Sequence, residues 1–317
     1  MTKIIPIFYG INDTYAPYLA ASLNSLGKVA NPANIYEITI IYQELAADNI
    51  TKLQQFAQDN IRVNFKQLEN DLQQDLNNDQ NPLRADFVTF TIYYRLFIAD
   101  LFPQYDKAIY LDGDTVINTD PAKLYDQDLL DNLIGAVPDA FITHDPRGRK
   151  YARDALAVDE NFYINSGVLL MNLKALRAQH FSEKFMDLLN KYHFKLIAPD
   201  QDYLNALCFG KTLYLDPRWD VQTEHVISMN FKPHIVHYNL FGKPWNYDKV
   251  PFEDLFWESS RETPYYDEVA KIKAEYSAEQ KQHDQERQDL LIKRVEETPD
   301  YPVTFKKVLQ QGVQIHV

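Results

Sequence analysis

Two carboxylates one residue apart, Asp112 and Asp114, follow an apolar run in the segment "KAIYLDGDTVINTD" at residues 107–120. In an extended chain, residues i and i+2 point to the same side about 6.6 Å apart, so both carboxylates can bind one cation. Without a cation, two like charges this close would repel and raise the pKa of one carboxyl group. Gly113 between them leaves room for a ligand and permits a sharp turn. The spacing therefore predicts a divalent-metal site.

The Asp-x-Asp spacing recurs at Asp126/Asp128 and Asp200/Asp202, and for an arbitrary copy a solvated loop is the ordinary explanation. The copy at 112–114 differs because it follows a buried apolar strand. Open α/β sheets bind ligands beyond the carboxyl ends of their strands. We therefore assign the metal site to this copy.

A histidine and a lysine in "HIVHYNLFGKPWNYD", residues 234–248, could complete a metal and diphosphate site. His237 ends an apolar run, and imidazole suits a borderline ion such as Mn²⁺. Lys243 follows six residues later and can reach phosphate oxygens. Taken singly, a packed core histidine and a solvated loop lysine are the ordinary alternatives.

The elements that must position these side chains alternate between strand and helix. The first 67 residues follow the order β-α-β-α-β, for which parallel strands with helical crossovers are the economical solution. With 317 residues and 45% hydrophobic content, the chain can bury a large core. We predict strands at 3–10, 36–42, 61–67, 107–111, 133–139, 167–173, 211–215 and 234–238, helices at 15–27, 46–60, 90–103, 174–193 and 200–209, and a polar surface helix or loop at 67–82.

Composition limits the function. A formal net charge of -13 argues against a nucleic-acid partner, which needs clustered Lys and Arg for phosphate contacts. Cys208 is the only cysteine, so there is no intrachain disulfide or thiolate metal cluster, which fits a reducing cytosol. The apolar stretch at 4–9 is too short for a secretion signal or a membrane span. These features predict a cytoplasmic protein.

From about residue 259 the chain becomes charged and helix-prone. We therefore divide it into a main domain, 1–258, and a helical C-terminal extension, 259–317. Mixed charges in the extension favour solvated helices that pack on the main domain or on a partner over a basic membrane anchor. Oligomerisation through these helices stays open.

Four motifs in order resemble glycosyltransferase family 8: the strand ending in Asp-x-Asp, "FYINSGVLLMNL" (162–173), "PDQDYLNAL" (199–207) and "HYNLFGKPW" (237–245). The resemblance covers roughly residues 3–247. It implies a GT-A fold, which is a Rossmann-like mixed sheet flanked by helices. It also implies a UDP-sugar donor, Mn²⁺ with Mg²⁺ as the alternative, and retention of anomeric configuration. The expected acceptor is a glycan, glycolipid or glycoprotein, and some family members work at the inner face of the plasma membrane, so peripheral membrane contact is a further expectation.

The resemblance assigns donor-site roles to individual residues. It implies Asp112, Asp114 and His237 as metal ligands and Lys243 as the diphosphate contact. Two other matches suggest donor contacts: Tyr15 where the family stacks a tyrosine on uracil, and Arg95 where an arginine contacts the donor. Two residues depart from the family pattern. Asn12 stands where many relatives have an aspartate that contacts the nucleoside, so we expect that contact to pass to Asp13 or to backbone. Leu240 stands where glycine is common.

The sugar pocket implied by the resemblance draws on Asp139, Asn165, Asp200 and Gln201. Two of these side chains also have local explanations: Asp200 as the N-cap of the helix from 201, and Asn165 in the turn before a strand. A neutral Gln201 oxygen is a poor nucleophile, so we favour same-face substitution with Gln201 and Asp200 stabilising an oxocarbenium-like state. A covalent Asp202 intermediate is the alternative mechanism.

Two other functions compete with a retaining transferase of glucose or galactose. One is a non-catalytic sugar-nucleotide-binding or scaffold protein that acts through its helical tail. The other is a metal-dependent phosphatase of the haloacid-dehalogenase type, whose Asp-x-Asp-Gly-Thr motif follows the first strand. Here glycine separates the acids and the motif arrives after residue 100, which disfavours the phosphatase.

Overall fold

A computed structural model describes residues 2–68, 90–226 and 230–317. The polar segment predicted at 67–82 lies outside these residues from 69 onward. Strands β1 to β3 pair in parallel, as predicted. The strands are β1 (Ile4–Gly10), β2 (Ile35–Tyr42), β3 (Ile61–Gln67), β4 (Ala108–Leu111), β5 (Thr115–Ile117), β6 (Ile134–Ala136), β7 (Val168–Met171), β8 (Thr212–Tyr214), β9 (Val221–Gln222) and β10 (Ile235–His237).

Within the described residues, a seven-stranded sheet has the order β3-β2-β1-β4-β7-β6-β8. β4 is parallel to β1 and antiparallel to β7, so the sheet is mixed, as predicted. Successive residues of β1, such as Ile7 and Phe8, point to opposite faces of the sheet and are buried in different apolar clusters. Both faces of the sheet are therefore covered. Because β1 and β4 are parallel neighbours, Asn12 and Asp112 follow them at the same edge of the sheet.

A smaller, three-stranded sheet has the order β5-β10-β9 and contains His237. β5 and β9, which have three and two residues, were not predicted. His237 pairs with Thr115 of β5 and with Gln222 of β9. This register places His237 beside the residue that follows Asp114.

The helices begin within one residue of prediction at the first two positions, 15–27 and 46–60, and differ more along the rest of the chain. They are α1 (Ala16–Val29), α2 (Ala47–Gln54), α3 (Ile98–Leu101), α4 (Ala122–Tyr125), α5 (Ala140–His144), α6 (Pro146–Tyr151), α7 (Leu173–Ala178), α8 (Phe181–Tyr192), α9 (Pro199–Leu207), α10 (Glu253–Ser260), α11 (Tyr266–Glu275), α12 (Ala278–Glu297) and α13 (Phe305–Gln310).

Three differences have local causes. The helix predicted at 90–103 begins as a 3-10 helix, Phe90–Phe97, before α3. The helix predicted at 174–193 is divided into α7 and α8 by His180, whose φ of 52° is left-handed. α5 and α6 were not predicted: they are short and begin at capping aspartates, Asp139 and Asp145, rather than at an apolar repeat.

The C-terminal extension packs on the main domain. α10 crosses the predicted 258/259 boundary, which stays a prediction. Phe305, Val308 and Ile315 belong to the same buried cluster as Phe8 of β1. Phe305 stacks on Phe194 with ring centroids 4.0 Å apart. Among the described helices, none combines the length and the apolar character that crossing a bilayer requires.

Candidate active site

The two carboxylates lie in a turn rather than in the extended segment predicted. β4 ends at Leu111 and β5 begins at Thr115, so residues 112–114 connect two strands. Gly113 does not have a positive φ. A Cβ there would lie 3.3 Å from Ile11 Cγ2, a tight contact, and 3.5 Å from Tyr15 Cδ1, an ordinary one, so glycine serves the close approach of this turn to Ile11.

His237 meets both carboxylates through one ring nitrogen. Its Nε2 lies 3.7 Å from Asp112 Oδ2 and 3.4 Å from Asp114 Oδ1. Ligand atoms from the three residues all lie within 4.8 Å of one another. Asp114 Oδ1 is buried and has no hydrogen-bond donor among the described residues. Two carboxylates and an imidazole with a free oxygen between them fit a divalent cation such as Mn²⁺.

A residue that the sequence did not reveal, Asp220, orients this histidine. Asp220 Oδ1 lies 3.0 Å from His237 Nδ1, and Asp220 is buried. The carboxylate holds the Nδ1 proton, which leaves Nε2 for the metal side of the ring. Burial alone would lower the pKa of His237, but Asp220 and Asp114 raise it to about 10. A single aspartate before a two-residue strand gave no signal in the sequence.

Gly167 makes room for the imidazole. A Cβ at this position would lie 2.1 Å from His237 Cε1. Gly167 is the glycine of "INSG" in one of the four motifs, immediately before β7. The ring can therefore occupy its place only because this residue lacks a side chain.

Lys243 places a positive charge at the metal-binding turn. Its Nζ lies 2.5 Å from Asp114 Oδ2 and also donates to the carbonyl of Tyr238. Burial favours a higher pKa for Asp114, yet Lys243 and His237 hold that pKa well below its usual value. Asp114 is therefore ionised and available to a cation.

Arg95 joins the metal-binding turn to the predicted sugar pocket. Its guanidinium lies 2.8 Å from Asp112 Oδ1 and 3.1 Å from Asp200 Oδ2. It also donates to the carbonyl of Ser166 at 2.6 Å and packs over the ring of Tyr110 at 4.4 Å. Both of its carboxylate partners belong to the candidate site, so the ion pairs are part of that site.

The four predicted sugar-pocket residues form one buried network. Asp139 Oδ2 accepts from Asn165 Nδ2 at 3.0 Å and from Gln201 Nε2 at 3.1 Å. Gln201 Oε1 accepts from the Ser166 amide at 2.9 Å, and Asp200 accepts from the Ser166 hydroxyl at 3.0 Å. Ser166, which the sequence did not reveal, is therefore the link between the Gln201 and Asp200 side chains.

The sequence offered purely local explanations for Asp200, as a helix cap, and for Asn165, as a turn residue. α9 begins at Pro199 with Ala198 as its N-cap, so the alternative of Asp200 as the helix cap is wrong. Asn165 Oδ1 does accept from the Gly167 amide at 2.8 Å, as a turn-forming asparagine would. Asn165 thus makes a turn and joins the network.

Asp202 lies away from the cleft. Tyr163 and Tyr151 donate to its two oxygens at 2.8 Å each, and the amides of Ile197 and Ala198 donate at 3.1 and 3.0 Å. Burial raises the pKa of Asp202 to about 7, although these hydrogen bonds lower it. Its side chain joins α9 to the core, and this arrangement does not support an attacking carboxylate.

The residues assigned to the nucleoside differ in where they lie relative to the cleft. Tyr15 and Asn12 line it, and Asn12 Oδ1 accepts from the Tyr15 amide at 3.2 Å. Asp13 instead accepts from the Ala46 amide at 2.7 Å and the Asn49 side chain at 2.8 Å, and it does not line the cleft. A contact transferred from Asn12 to Asp13 is therefore unsupported.

The Asp112–Asp114 turn with His237 and Lys243, the sugar-pocket network and two of the residues assigned to the nucleoside line one cleft of about 860 Å³. Residues of α11 and α12, which the sequence did not assign to the site, also line it. Asp284 of α12 accepts from Tyr247 at 2.9 Å and from Tyr276 at 2.5 Å. The extension is thereby fixed to the segment that carries Lys243.

Comparison with known proteins gives relatives along most of the chain. General stress protein A of Bacillus subtilis is 25% identical over 276 residues, covering 80% of this chain and 92% of the relative. Lipopolysaccharide 1,2-glucosyltransferase of Escherichia coli K12 is 27% identical over 285 residues, covering 81% and 80%.

Solved structures share the fold. The WbbM bifunctional glycosyltransferase has a TM-score of 0.73 at 25% identity, covering 86% of this chain and 52% of WbbM. The galactosyltransferase LgtC, solved with donor and acceptor sugar analogs, has a TM-score of 0.70 at 23% identity, covering 82% and 96%. These neighbours confirm the GT-A fold. The sequence profile of Glycosyl transferase family 8 matches residues 6–249, and the chain belongs to that family.

Proposed function

We propose that this protein is a retaining, Mn²⁺-dependent transferase that moves glucose or galactose from a UDP-sugar to a glycan, glycolipid or glycoprotein acceptor. One observation carries the proposal: His237 Nε2 faces both carboxylates of the Asp112–Asp114 turn at the cleft. Family membership supports glycosyl transfer, and relatives named as a glucosyltransferase and a galactosyltransferase support a hexose. A cytoplasmic location and peripheral membrane contact stay predictions.

The donor end would use charges that are already in place. Asp112, Asp114 and His237 would hold the cation, which as a Lewis acid offsets the negative charge of the leaving diphosphate. Lys243 adds a charge-assisted contact to the same oxygens. We assign Tyr15 and Asn12 to the nucleoside.

At the sugar, we propose substitution on one face. The bond from the anomeric carbon to the diphosphate oxygen breaks, the acceptor oxygen bonds to that carbon, and the acceptor proton passes to the departing diphosphate. Asp200 stabilises the positive charge at the anomeric carbon. Asp139 and Asn165 bind sugar hydroxyls, while Gln201, hydrogen-bonded at both ends of its amide, holds Asp139 and Ser166 in position.

A panel of UDP-sugars tested for UDP release with and without Mn²⁺ examines the proposal. We expect one UDP-hexose to be hydrolysed slowly with Mn²⁺ and the α-anomer of the sugar to form first. Asp114→Asn should lower the rate about 100-fold or more. The matched control is Asp126→Asn in another Asp-x-Asp copy, where the exposed carboxylate pairs with Lys3. Turnover that is equal in both variants, or absent with every UDP-sugar, would contradict the proposal.

A further inference from the structure

A second cavity of about 600 Å³ adjoins the cleft. Residues that line both spaces are Phe141, Leu240, Phe241 and Leu291. Of the residues proposed above to hold the donor, none lines the second cavity. The space is therefore next to the cleft but outside the part assigned to the donor.

Helix α12 presents a different face to each cavity. Only Asp284, Leu291 and Val295 are buried among its 20 residues, so it forms a wall more than a core element. Residues three or four apart on a helix share a face. From this helix the cleft is lined by Gln280, Asp284, Arg287 and Leu291, and the second cavity by Gln285, Gln288, Asp289, Leu291, Ile292, Lys293 and Glu296, so Leu291 lies between the two spaces.

The lining of the second cavity suits a saccharide. Phe141 and Phe241 offer aromatic faces, and the His225 ring lies 5.7 Å from that of Phe141. Gln285 and Gln288 offer amides that donate and accept hydrogen bonds. The His225 Nδ1 atom is buried and has no hydrogen-bond partner among the described residues. A lining that combines aromatic faces with many hydrogen-bonding groups suits a ligand that has both apolar ring faces and hydroxyl groups, as a sugar does.

Charge indicates that the saccharide is neutral. The carboxylates that line the second cavity outnumber the cations Arg147 and Lys293. Arg147 already pairs with Asp145 at 2.7 Å. An anionic ligand would meet unfavourable carboxylates here. The lining carboxylates are Asp145, Glu224, Asp289 and Glu296.

We propose that the second cavity binds a neutral oligosaccharide acceptor, whose end sugar enters the cleft while the preceding sugars contact Phe141, His225 and Gln288. This inference rests on the proposed function, because the accepting hydroxyl must reach the donor. It also gives α12, from the extension, a direct part in acceptor selection.

An array of neutral, sialylated and phosphorylated oligosaccharides tests the proposal. The full chain is applied to the array together with Mn²⁺ and UDP, and its retention on each glycan is measured. We expect retention of neutral glycans. In calorimetry with the best-retained glycan, Gln288→Ala should weaken affinity about tenfold, as loss of one good hydrogen bond does. The control is Gln282→Ala, an exposed amide of the same helix that bonds to Glu286 and lines neither cavity.

Three outcomes would overturn the inference: no glycan retained, only anionic glycans retained, or equal affinities for the Gln288→Ala and Gln282→Ala variants. UDP binding with Mn²⁺, measured in the same samples, separates the two proposals. If UDP does not bind, the proposed function fails; if UDP binds and neutral glycans do not, only the acceptor site fails.

Discussion

At the scale of single residues, the position of His237 depends on two neighbours that bind no ligand themselves. Gly167 leaves the space for the ring, and Asp220 holds its Nδ1. Groups that orient a metal ligand commonly change metal affinity 10- to 100-fold when they are replaced. Substitutions at Gly167 and Asp220 can therefore test the site without replacing any of the three proposed metal ligands.

Gly167→Ala should weaken Mn²⁺ binding more than tenfold, because its Cβ would occupy the place of His237 Cε1. Electron paramagnetic resonance of free Mn²⁺ measures the affinity, and circular dichroism checks the fold. The control is Gly27→Ala in α1, where the Cβ meets the flexible end of the Gln58 side chain. Unchanged Mn²⁺ affinity in Gly167→Ala would show that the ring is placed elsewhere.

Mn²⁺ binding should release about one proton at pH 7. The pKa of His237 is raised to about 10, so the metal-free imidazolium must lose its proton to become a ligand. Affinity should therefore rise about tenfold per pH unit between pH 7 and 9. Calorimetry in buffers of different ionisation enthalpy counts the protons.

The same pKa determines a stability effect with a defined sign. A raised folded-state pKa stabilises the metal-free protein below the ordinary pKa of 6.5, and this contribution is lost as pH rises through about 10. Asp220→Asn removes the partner that raises the pKa most, so the variant should release less than one proton on binding Mn²⁺ at pH 8. Equal proton release by variant and wild type would exclude Asp220 as the cause.

At this scale the sequence predicted ligands better than their supports. Asp112 and His237 were recognisable because each ends an apolar strand where a sheet opens to ligands. Asp220 and Ser166 act through contacts between distant segments, which no local pattern encodes. The sequence indicated a sharp turn at Gly113 but not the short strand β5 that follows it.

At the scale of elements, three buried residues attach α12 to the protein: Leu291 and Val295 lie in a buried apolar cluster, and Asp284 makes polar contacts. Asp284 accepts from Tyr247 and Tyr276, and Arg287 packs near the Phe241 ring at 5.7 Å. Most of the helix surface is polar and exposed. Its attachment should therefore be sensitive to one buried carboxylate.

Asp284→Ala should loosen α12, because two tyrosine hydroxyls lose their acceptor at a cost of about 1–3 kcal/mol. We expect faster amide hydrogen exchange in peptides from residues 277–290 and 239–247. Glu286→Ala, an exposed acid of the same helix, is the control. Equal exchange in both variants would show that Asp284 does not anchor the helix.

Elements with long, regular patterns were predictable. Of the short ones, the strands β6, β8 and β10 were predicted, whereas β5, β9, α5 and α6 were not. β1, α1, β2, α2 and β3 are found in the predicted order because apolar strands alternate with capped helices. α5 and α6 have five and six residues, too few for a helical repeat.

At the scale of the whole molecule, the C-terminal extension belongs to the folded body. α13 inserts Phe305 against Phe194 and Tyr203 in the core. The sequence predicted that the extension packs on the main domain or on a partner, but not which side chains insert, because a few apolar residues spaced along a polar segment do not change its average.

Phe305→Ala should lower the free energy of unfolding by about 3–5 kcal/mol, since it leaves a cavity in the core. The exposed Val303→Ala is the control and should change it by less than about 0.5 kcal/mol. Urea denaturation followed by tryptophan fluorescence measures both. A small effect at Phe305 would instead favour an extension that folds independently of 1–258.

The Lys243–Asp114 pair has a consequence for binding at different ionic strengths. Both side chains are about one-tenth exposed or less, so dissolved ions screen the pair weakly. If a diphosphate and its cation bind here as proposed, Lys243 and Asp114 would exchange one internal counter-charge for another, and few surface charges would be neutralised. Nucleotide affinity should consequently change little between 50 and 500 mM NaCl, unlike that of proteins that capture phosphates with exposed basic side chains.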